Sequence, residues 1–506
     1  MMFAVAGFRA IVLPGPQEAS MSSEPEEART GEAWGWGALV VVGLLVLAFT
    51  VAGALAILFY LFVPLCVVCG LVLLGRPAGF AIFNLGIWVW APFVRRIIDY
   101  GTYYHQIHPA LLAPPLLAAM AALAFRTWRE GLAQAPAFVV LGLPMLWGLA
   151  VGLMNGALVP AAFAVLTWGG PVFLGLYVLG ARRRAPGLEA QVLRALSILA
   201  FTASVYGILQ FINPPIWDRL WMINSGLPVL GAPVPFSVRV FGPLNSPVPF
   251  AAVMVAGFIA TVLDPQPWRW ILAPTMLVAL MLSLVRSEWA ALALAIVAVA
   301  LFAGAASLLR VARMFVVVAI VAVMGLPLLG HEPIRRAVEA RLATFQSGSS
   351  DTSFRDRMIL YTNFTFDEPV IGLGLGRTDT ATRLSTARGN MDGKNGTMDS
   401  GVLQAVNTFG LPMAIVLMGV LAWLGLTSVA GARQSSWGLA GLAIVVAGLS
   451  QIPAYNMLVG AAAVLLYLGF AMSLPVAESR LETTEDEEDE DLQLGVLSPQ
   501  DTTQPI

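Results

Sequence analysis

The sequence predicts an all-α, polytopic integral membrane protein. Three observations carry that prediction. First, 58% of its 506 residues are hydrophobic and only 11% are charged. Second, the apolar residues fall into many runs long enough to cross a bilayer as helices, about 20 residues each. The runs are unbroken rather than alternating, which argues against a β-barrel. Third, Trp34, Trp36, Trp88, Trp90, Trp268, Trp270 and Trp437 lie near the ends of runs, as an interfacial aromatic belt requires.

Residues 1–35 read as a cytoplasmic tail, weakly apolar and then acidic, with no convincing cleavable signal; Met21 offers an alternative start. Apolar runs follow at 36–53, 55–74, 79–94, 109–125, 136–154, 159–180, 195–212, 247–263, 270–285, 288–306 and 314–330. Three more lie at 401–427, 438–454 and 457–475. That gives about fourteen transmembrane helices (roughly 12–14): eleven in 36–330, with a loop at 213–246, and three in 401–475. Between these groups lies one large polar loop, 331–400, in which short helices are expected. Residues 476–506 form an acidic tail. Its seven consecutive acids, Glu485 to Asp491, repel one another and keep it solvated and disordered.

Orientation follows from arginines in the short loops. With the N-terminus cytoplasmic, Arg76, Arg126, Arg129, Arg182, Arg183, Arg184, Arg194, Arg269, Arg310, Arg313, Arg433 and Arg480 all fall on the cytoplasmic side. Both termini are then cytoplasmic. Arginines on the opposite side need a local reason. They are Arg95 and Arg96, near Asp99, His105 and His108; Arg219 and Arg239 in the 213–246 loop; Arg286 at a span edge; and those in 331–400. A polyanionic ligand on that face is one reason. Loop length is another, since long loops translocate regardless of charge.

Cys66 and Cys69 form a CxxC inside an apolar run. No charged neighbour is there to stabilise a thiolate, so they read as small apolar residues. His105 and His108 precede Pro109 with no third ligand close in sequence, so no metal is expected.

Arg286 stands in Leu282-Ser283-Leu284-Val285-Arg286-Ser287-Glu288-Trp289, between two runs with almost no loop. A cation at that depth needs a partner or a polar cavity. Pairing with Glu288, snorkelling to the interface, and binding a phosphate-bearing ligand all remain open. Arg239 precedes Phe241-Gly242-Pro243-Leu244-Asn245-Ser246-Pro247, an irregular approach to the next run. Irregular backbone at membrane depth is tolerated against protein or a water-filled cavity, so this stretch is expected to line a cavity. Arg355 and Arg357 lie in a possible short helix, Ser353 to Phe366, where spacing i, i+2 points them to different faces. The run Gly372-Leu373-Gly374-Leu375-Gly376 lacks the Lys-Ser/Thr of a nucleotide loop and is expected to be a flexible tight turn.

These stretches together resemble the O-antigen ligase and polymerase superfamily of bacterial membrane glycosyltransferases. Tyr206-Gly207-Ile208-Leu209-Gln210 with Trp217-Asp218, the Arg239 to Pro247 stretch, Leu284 to Trp289, and the arginine pair with Pro369 to Gly376, Asp399-Ser400 and Gly410 occur in the family's order. The resemblance covers about 200–475. It implies a bundle like that of the GT-C-type and O-antigen ligase-like membrane glycosyltransferases. It also implies an undecaprenyl-pyrophosphate-linked oligosaccharide as donor, on the periplasmic face of the inner membrane. Ligases of the family carry a His-Asn/Ser/Gln pair ahead of a Gly-x-x-Gly. Here the aligned pair is Asp399-Ser400, and Met413 replaces the last glycine. The Asp is more similar to the exopolysaccharide polymerase branch.

The chemistry the resemblance implies needs no cofactor and no metal. Guanidinium groups match phosphate oxygens bidentately and stabilise charge on a leaving pyrophosphate. A carboxylate can take the acceptor hydroxyl's proton. The expected catalytic residues are therefore Asp399, Arg286 and Arg239, and the expected substrate-binding residues are Arg355, Arg357, Glu288 and Arg219. The expected partners are the lipid-linked oligosaccharide, membrane lipid, and a chain-length regulator and flippase of the same pathway, with no nucleic acid. A ligase that attaches finished polymer to a lipid or protein is the alternative within the class. A transporter of the same lipid-linked oligosaccharide is the alternative outside it; transporters tend to carry internal repeats, and none is visible here.

Overall fold

In the computed structural model, residues 26–264, 269–302, 305–325, 332, 335, 370–378 and 400–475 are described. Among them the chain is all-helical apart from loops and one isolated antiparallel bridge, Gly231 to Val238. The helices are α1 (Glu26–Val51), α2 (Leu55–Leu73), α3 (Pro77–Gly101), α4 (Ala113–Ala119), α5 (Phe125–Gln134), α6 (Ala137–Met154), α7 (Leu158–Ala181) and α8 (Leu188–Ile212). They continue with α9 (Ile216–Ser225), α10 (Pro247–Leu263), α11 (Arg269–Ser283), α12 (Arg286–Phe302) and α13 (Ala305–Gly325), then α14 (Gly401–Ala432), α15 (Ser436–Gln451) and α16 (Gly460–Ser473).

Seven of these helices are long and apolar enough to cross a membrane: α1, α2, α3, α6, α7, α8 and α14. The chain is thus a multi-pass α-helical membrane protein. α1, α2 and α6 bear apolar residues such as Leu44, Tyr60 and Leu146 on exposed faces. In water such faces would be costly; against lipid tails they are at home. α3 is instead largely buried, packed between α1, α2 and α8, and α15 packs on α12, α14 and α16.

The count of fourteen spans is finer than the structure supports. α10, α15 and α16 are apolar but only 17, 16 and 14 residues long. At 1.5 Å per residue these cover roughly 21–26 Å, at or below the short end of what crosses a hydrocarbon core about 30 Å thick. The run expected at 109–125 is also not one straight helix. Pro109–Leu123 and Phe125–Gln134 meet at 83°. The bend falls at Ala124 (φ −81°, ψ 60°), and the first segment is itself two short 3-10 turns around α4.

The glycine run differs from its expectation as a flexible turn. Leu373 N and Gly374 N donate to Asn407 O and Thr408 O, each at 2.9 Å, and Leu375 N donates to Gly148 O at 2.7 Å. Trp147 Nε1 donates to Ile371 O, and Asn155 Nδ2 to Leu373 O, each at 2.9 Å. The segment is therefore a strap, turned at 370–371 and 375–376, that is bound between α6 and α14. Gly410 makes this possible: it leaves the helical region at φ 77°, ψ 163° inside α14. The break, together with Pro412, which has no N–H to give Thr408 O, leaves the carbonyls of Asn407 and Thr408 to accept from the strap. Gly374 (φ +85°) lies so close to α6 that an added Cβ would stand 2.2 Å from Gly152 N. Gly374→Ala is expected to destabilise the protein by about 2–4 kcal/mol, from a left-handed Ala plus overpacking against backbone. A thermal melt in detergent checks this; an unchanged midpoint contradicts the tight docking.

Candidate functional site

The irregular stretch carrying Arg239 is held by a buried ionic node. Arg96, in the last turns of α3, and Asp218, in the first turn of α9, are both fully buried, with Arg96 Nε 3.2 Å from Asp218 Oδ1. Arg96 also donates to Leu244 O at 3.1 Å and Gly242 O at 2.7 Å. Asp218 Oδ2 accepts from Tyr206 Oη at 2.7 Å and Gln210 Nε2 at 2.6 Å, and Trp217 Nε1 donates to Tyr206 Oη at 2.9 Å. Gln210 Oε1 then accepts from Phe241 N at 3.1 Å and Gly242 N at 3.0 Å. Tyr206 and Gln210 are four apart on α8, so one helix face presents both to Asp218. The Tyr206–Gln210 and Trp217–Asp218 motifs thus build the scaffold of the Arg239 segment. Arg96 is part of that scaffold, which gives it a structural reason to lie on the side that topology disfavours.

Arg239 itself meets the break between α11 and α12. Its Nε lies 3.4 Å from Ser283 O and its terminal nitrogen 3.3 Å from Leu284 O, while Val240 N donates to Leu282 O at 3.2 Å. Arg286 follows two residues on, exposed, as the first residue of α12. Leu284 has φ 57°, and Phe236, three residues before Arg239, has φ 63°. Among the described residues these are the non-glycine residues with positive φ. Each left-handed placement costs roughly 1–2 kcal/mol, and such strain gathers at functional sites.

The same break is tied to the start of α14. Gln451 Nε2, at the end of α15, donates to Ser287 O at 2.7 Å. Its neighbour Ile452 accepts from Gly401 N at 2.8 Å. Ser400 caps α14, its hydroxyl accepting from Leu403 N at 3.3 Å. A connected series therefore runs from Arg239 through the α11–α12 break and Gln451 to the N-terminus of α14. The N-termini of α10, α12 and α14 share this end of the bundle, and helix N-termini favour anions. Ser400→Ala is expected to cost about 1 kcal/mol of stability. A melting midpoint lowered by about 1 °C checks it; no shift contradicts the cap.

The structure thus brings Arg239 and Arg286 to one junction. Asp399, Arg355 and Arg357 lie outside the described residues; Asp399 immediately precedes the capping Ser400. Glu288 is not brought to Arg286. It is buried on the other face of α12, and its Oε1 has no hydrogen-bond partner. It faces a cavity of about 10 Å³ lined by Ala252, Ala256, Ala447 and Met457, room for no more than one water. Arg219 is occupied locally, donating to Pro214 O at 2.7 Å and to Asn213 Oδ1 at 2.6 Å across the α8–α9 turn. Cys66 and Cys69 are free thiols within α2.

The third ligand that His105 and His108 lack in sequence is Asp99. Donor atoms of the three lie within 4.8 Å of one another. Their bonding fits a hydrogen-bonded cluster better than a metal centre. Asp99 accepts from Arg95 Nε at 3.3 Å and from His105 N at 3.1 Å, so a cation is already beside the carboxylate. His108 Nδ1 accepts from Ala110 N at 3.0 Å, which leaves the ring proton on Nε2, the atom that faces Asp99. Metal-ligating histidines usually show the reverse, with the second nitrogen donating. Burial, with Arg95 and His105 close by, holds the His108 imidazole down to about 3, so it is neutral at ordinary pH.

Sequence reasoning missed Arg96 and Gln451 as parts of the assembly. The i, i+4 pair Tyr206 and Gln210 was a signal that a polar group is buried there. Compared with models of known protein families and with curated proteins, the chain matches none.

Proposed function

We propose that this chain is a membrane glycosyltransferase of the O-antigen ligase and polymerase kind. It joins undecaprenyl-pyrophosphate-linked repeat units into an exopolysaccharide- or O-antigen-type polymer. The bond between the growing chain's anomeric carbon and the pyrophosphate oxygen breaks. A bond forms to a hydroxyl of the next lipid-linked unit, whose proton passes to a carboxylate, and lipid pyrophosphate leaves. Arg239 and Arg286 hold the pyrophosphate and stabilise the charge that develops on it. The α14 N-terminus adds a third source of positive potential. Asp399, next to that N-terminus in sequence, is the carboxylate assigned to the proton.

The observation that carries this reading is that Arg239 bonds the strained α11–α12 break from which α12 starts at Arg286, a break tied through Gln451 to α14. The reading places about fourteen spans in the bacterial inner membrane, both termini in the cytoplasm, and the 331–400 loop in the periplasm. Arg355 and Arg357 in that loop complete the pyrophosphate grip.

Purified protein in lipid nanodiscs, given lipid-linked repeat units, is expected to lengthen the glycan without nucleotide or added metal. Gel analysis of the product checks this. Movement of the lipid between leaflets without elongation would support the transporter class instead.

A further inference from the structure

Beside the Arg96–Asp218 node lies a cavity of about 200 Å³ that the mechanism above does not use. The end of α3, the 102–104 turn and α9 enclose it. Its walls are aromatic: Tyr100, Tyr103, Tyr104, Trp217 and Trp221 all line it. Tyr100 and Tyr103 are exposed, and Tyr103 rests on the His105 ring at 4.0 Å, so only its outer face is open. Asp99 and Asn224 supply polar edges. The independent observation is Trp221. It is 7% exposed, it lines the cavity, and its Nε1 has no hydrogen-bond partner. A buried indole N–H normally finds an acceptor, and leaving it unmade costs free energy.

The pocket is better suited to a neutral polyol than to an anion. Both nearby guanidinium groups are already paired, Arg95 with Asp99 and Arg96 with Asp218. A phosphate entering here would meet the Asp99 carboxylate. A pyranose ring instead offers C–H bonds to the negative faces of aromatic rings, hydroxyl oxygens to the indole N–H, and hydroxyl protons to Asp99. The pocket also adjoins the proposed pyrophosphate site. Arg96 lines it and grips Gly242 and Leu244, in the segment that carries Arg239.

We propose that this pocket seats one sugar ring of the lipid-linked glycan, with Trp221 Nε1 donating to a sugar oxygen and Tyr103 and Trp217 forming the stacking walls. The assignment rests on the glycosyltransferase reading and names where its glycan is held. The test is saturation-transfer NMR on the protein in nanodiscs. The probe is the oligosaccharide pool released by mild acid from lipid-linked glycans of the source membranes. Saturation of sugar ring protons is expected. Trp221→Phe, which removes the N–H and shrinks the indole wall to a phenyl ring, and Tyr103→Ala, at an exposed position, are each expected to weaken binding about five- to tenfold. No transfer in the unaltered protein, or equal transfer in both variants, overturns the proposal. So does loss of dodecylphosphocholine binding in the variants with glycan binding intact, which would make the pocket a lipid headgroup site. Glycan binding without elongation would count against the polymerase reading alone. Elongation without glycan binding at these residues would count against the pocket alone.

Discussion

Arg286→Ala is expected to lower glycan elongation by roughly 10²–10³-fold, the usual effect of removing one preorganised group that stabilises transition-state charge. The same change should leave the melting midpoint unchanged or slightly raised. Arg286 is exposed at the first residue of α12. A cation there opposes the helix dipole by roughly 0.3–1 kcal/mol, and contacts of an exposed arginine contribute about 0–1 kcal/mol, so the net effect on stability is small. A residue that is electrostatically misplaced for its helix but well placed for an anionic ligand should separate the two measurements. Arg286→Lys keeps the charge and loses the planar fork, so it should recover activity only in part. Turnover of lipid-linked repeat units and a melt, both on protein in nanodiscs, check this. Equal losses in activity and stability would mean that Arg286 is structural.

The largest stability effect is expected at Arg96. It is fully buried, paired with Asp218, and donates to two carbonyls. Arg96→Met leaves the Asp218 carboxylate in the interior without its cation, and the carbonyls of Gly242 and Leu244 without donors. Breaking one side of a buried pair costs about 3–5 kcal/mol. The second variant, Arg96→Met with Asp218→Asn, removes the stranded charge and should recover part of that loss. A double-mutant cycle on melting free energies measures the coupling. Because the node sets the Arg239 segment, any folded Arg96→Met protein should also lose elongation. Full activity in that variant would show that the segment holds its shape without the node.

The helical spans were readable because apolar runs are local and long. The arginines at 239 and 286 were readable because charge is rare and costly in such a chain. What joins them was not. Arg96 and Asp218 lie far apart in sequence, and nothing local to either names its partner. Gln451 reads as an ordinary polar residue until its bond to Ser287 O is seen. The left-handed conformation of Leu284 carries no sequence signal at all, since leucine is a poor residue for it. The glycine run turns as expected but is held rather than flexible, because the same glycines also allow a close backbone approach, which the break at Gly410, thirty-odd residues on, makes possible. The bend at Ala124 carried no such signal: it lies inside an apolar run, at the end of an alanine-rich stretch of the sequence.

The most direct measurement is the binding of a short-chain prenyl pyrophosphate, such as farnesyl pyrophosphate, by isothermal titration to the protein in nanodiscs. If Arg239 and Arg286 grip one pyrophosphate, Arg239→Ala and Arg286→Ala should each weaken binding by about tenfold or more. The double variant should lose less than the sum of the two, and farnesyl monophosphate should bind more weakly than the pyrophosphate and respond less to either change. Unchanged affinity in both single variants, or equal affinity for the mono- and pyrophosphate, would contradict a shared site.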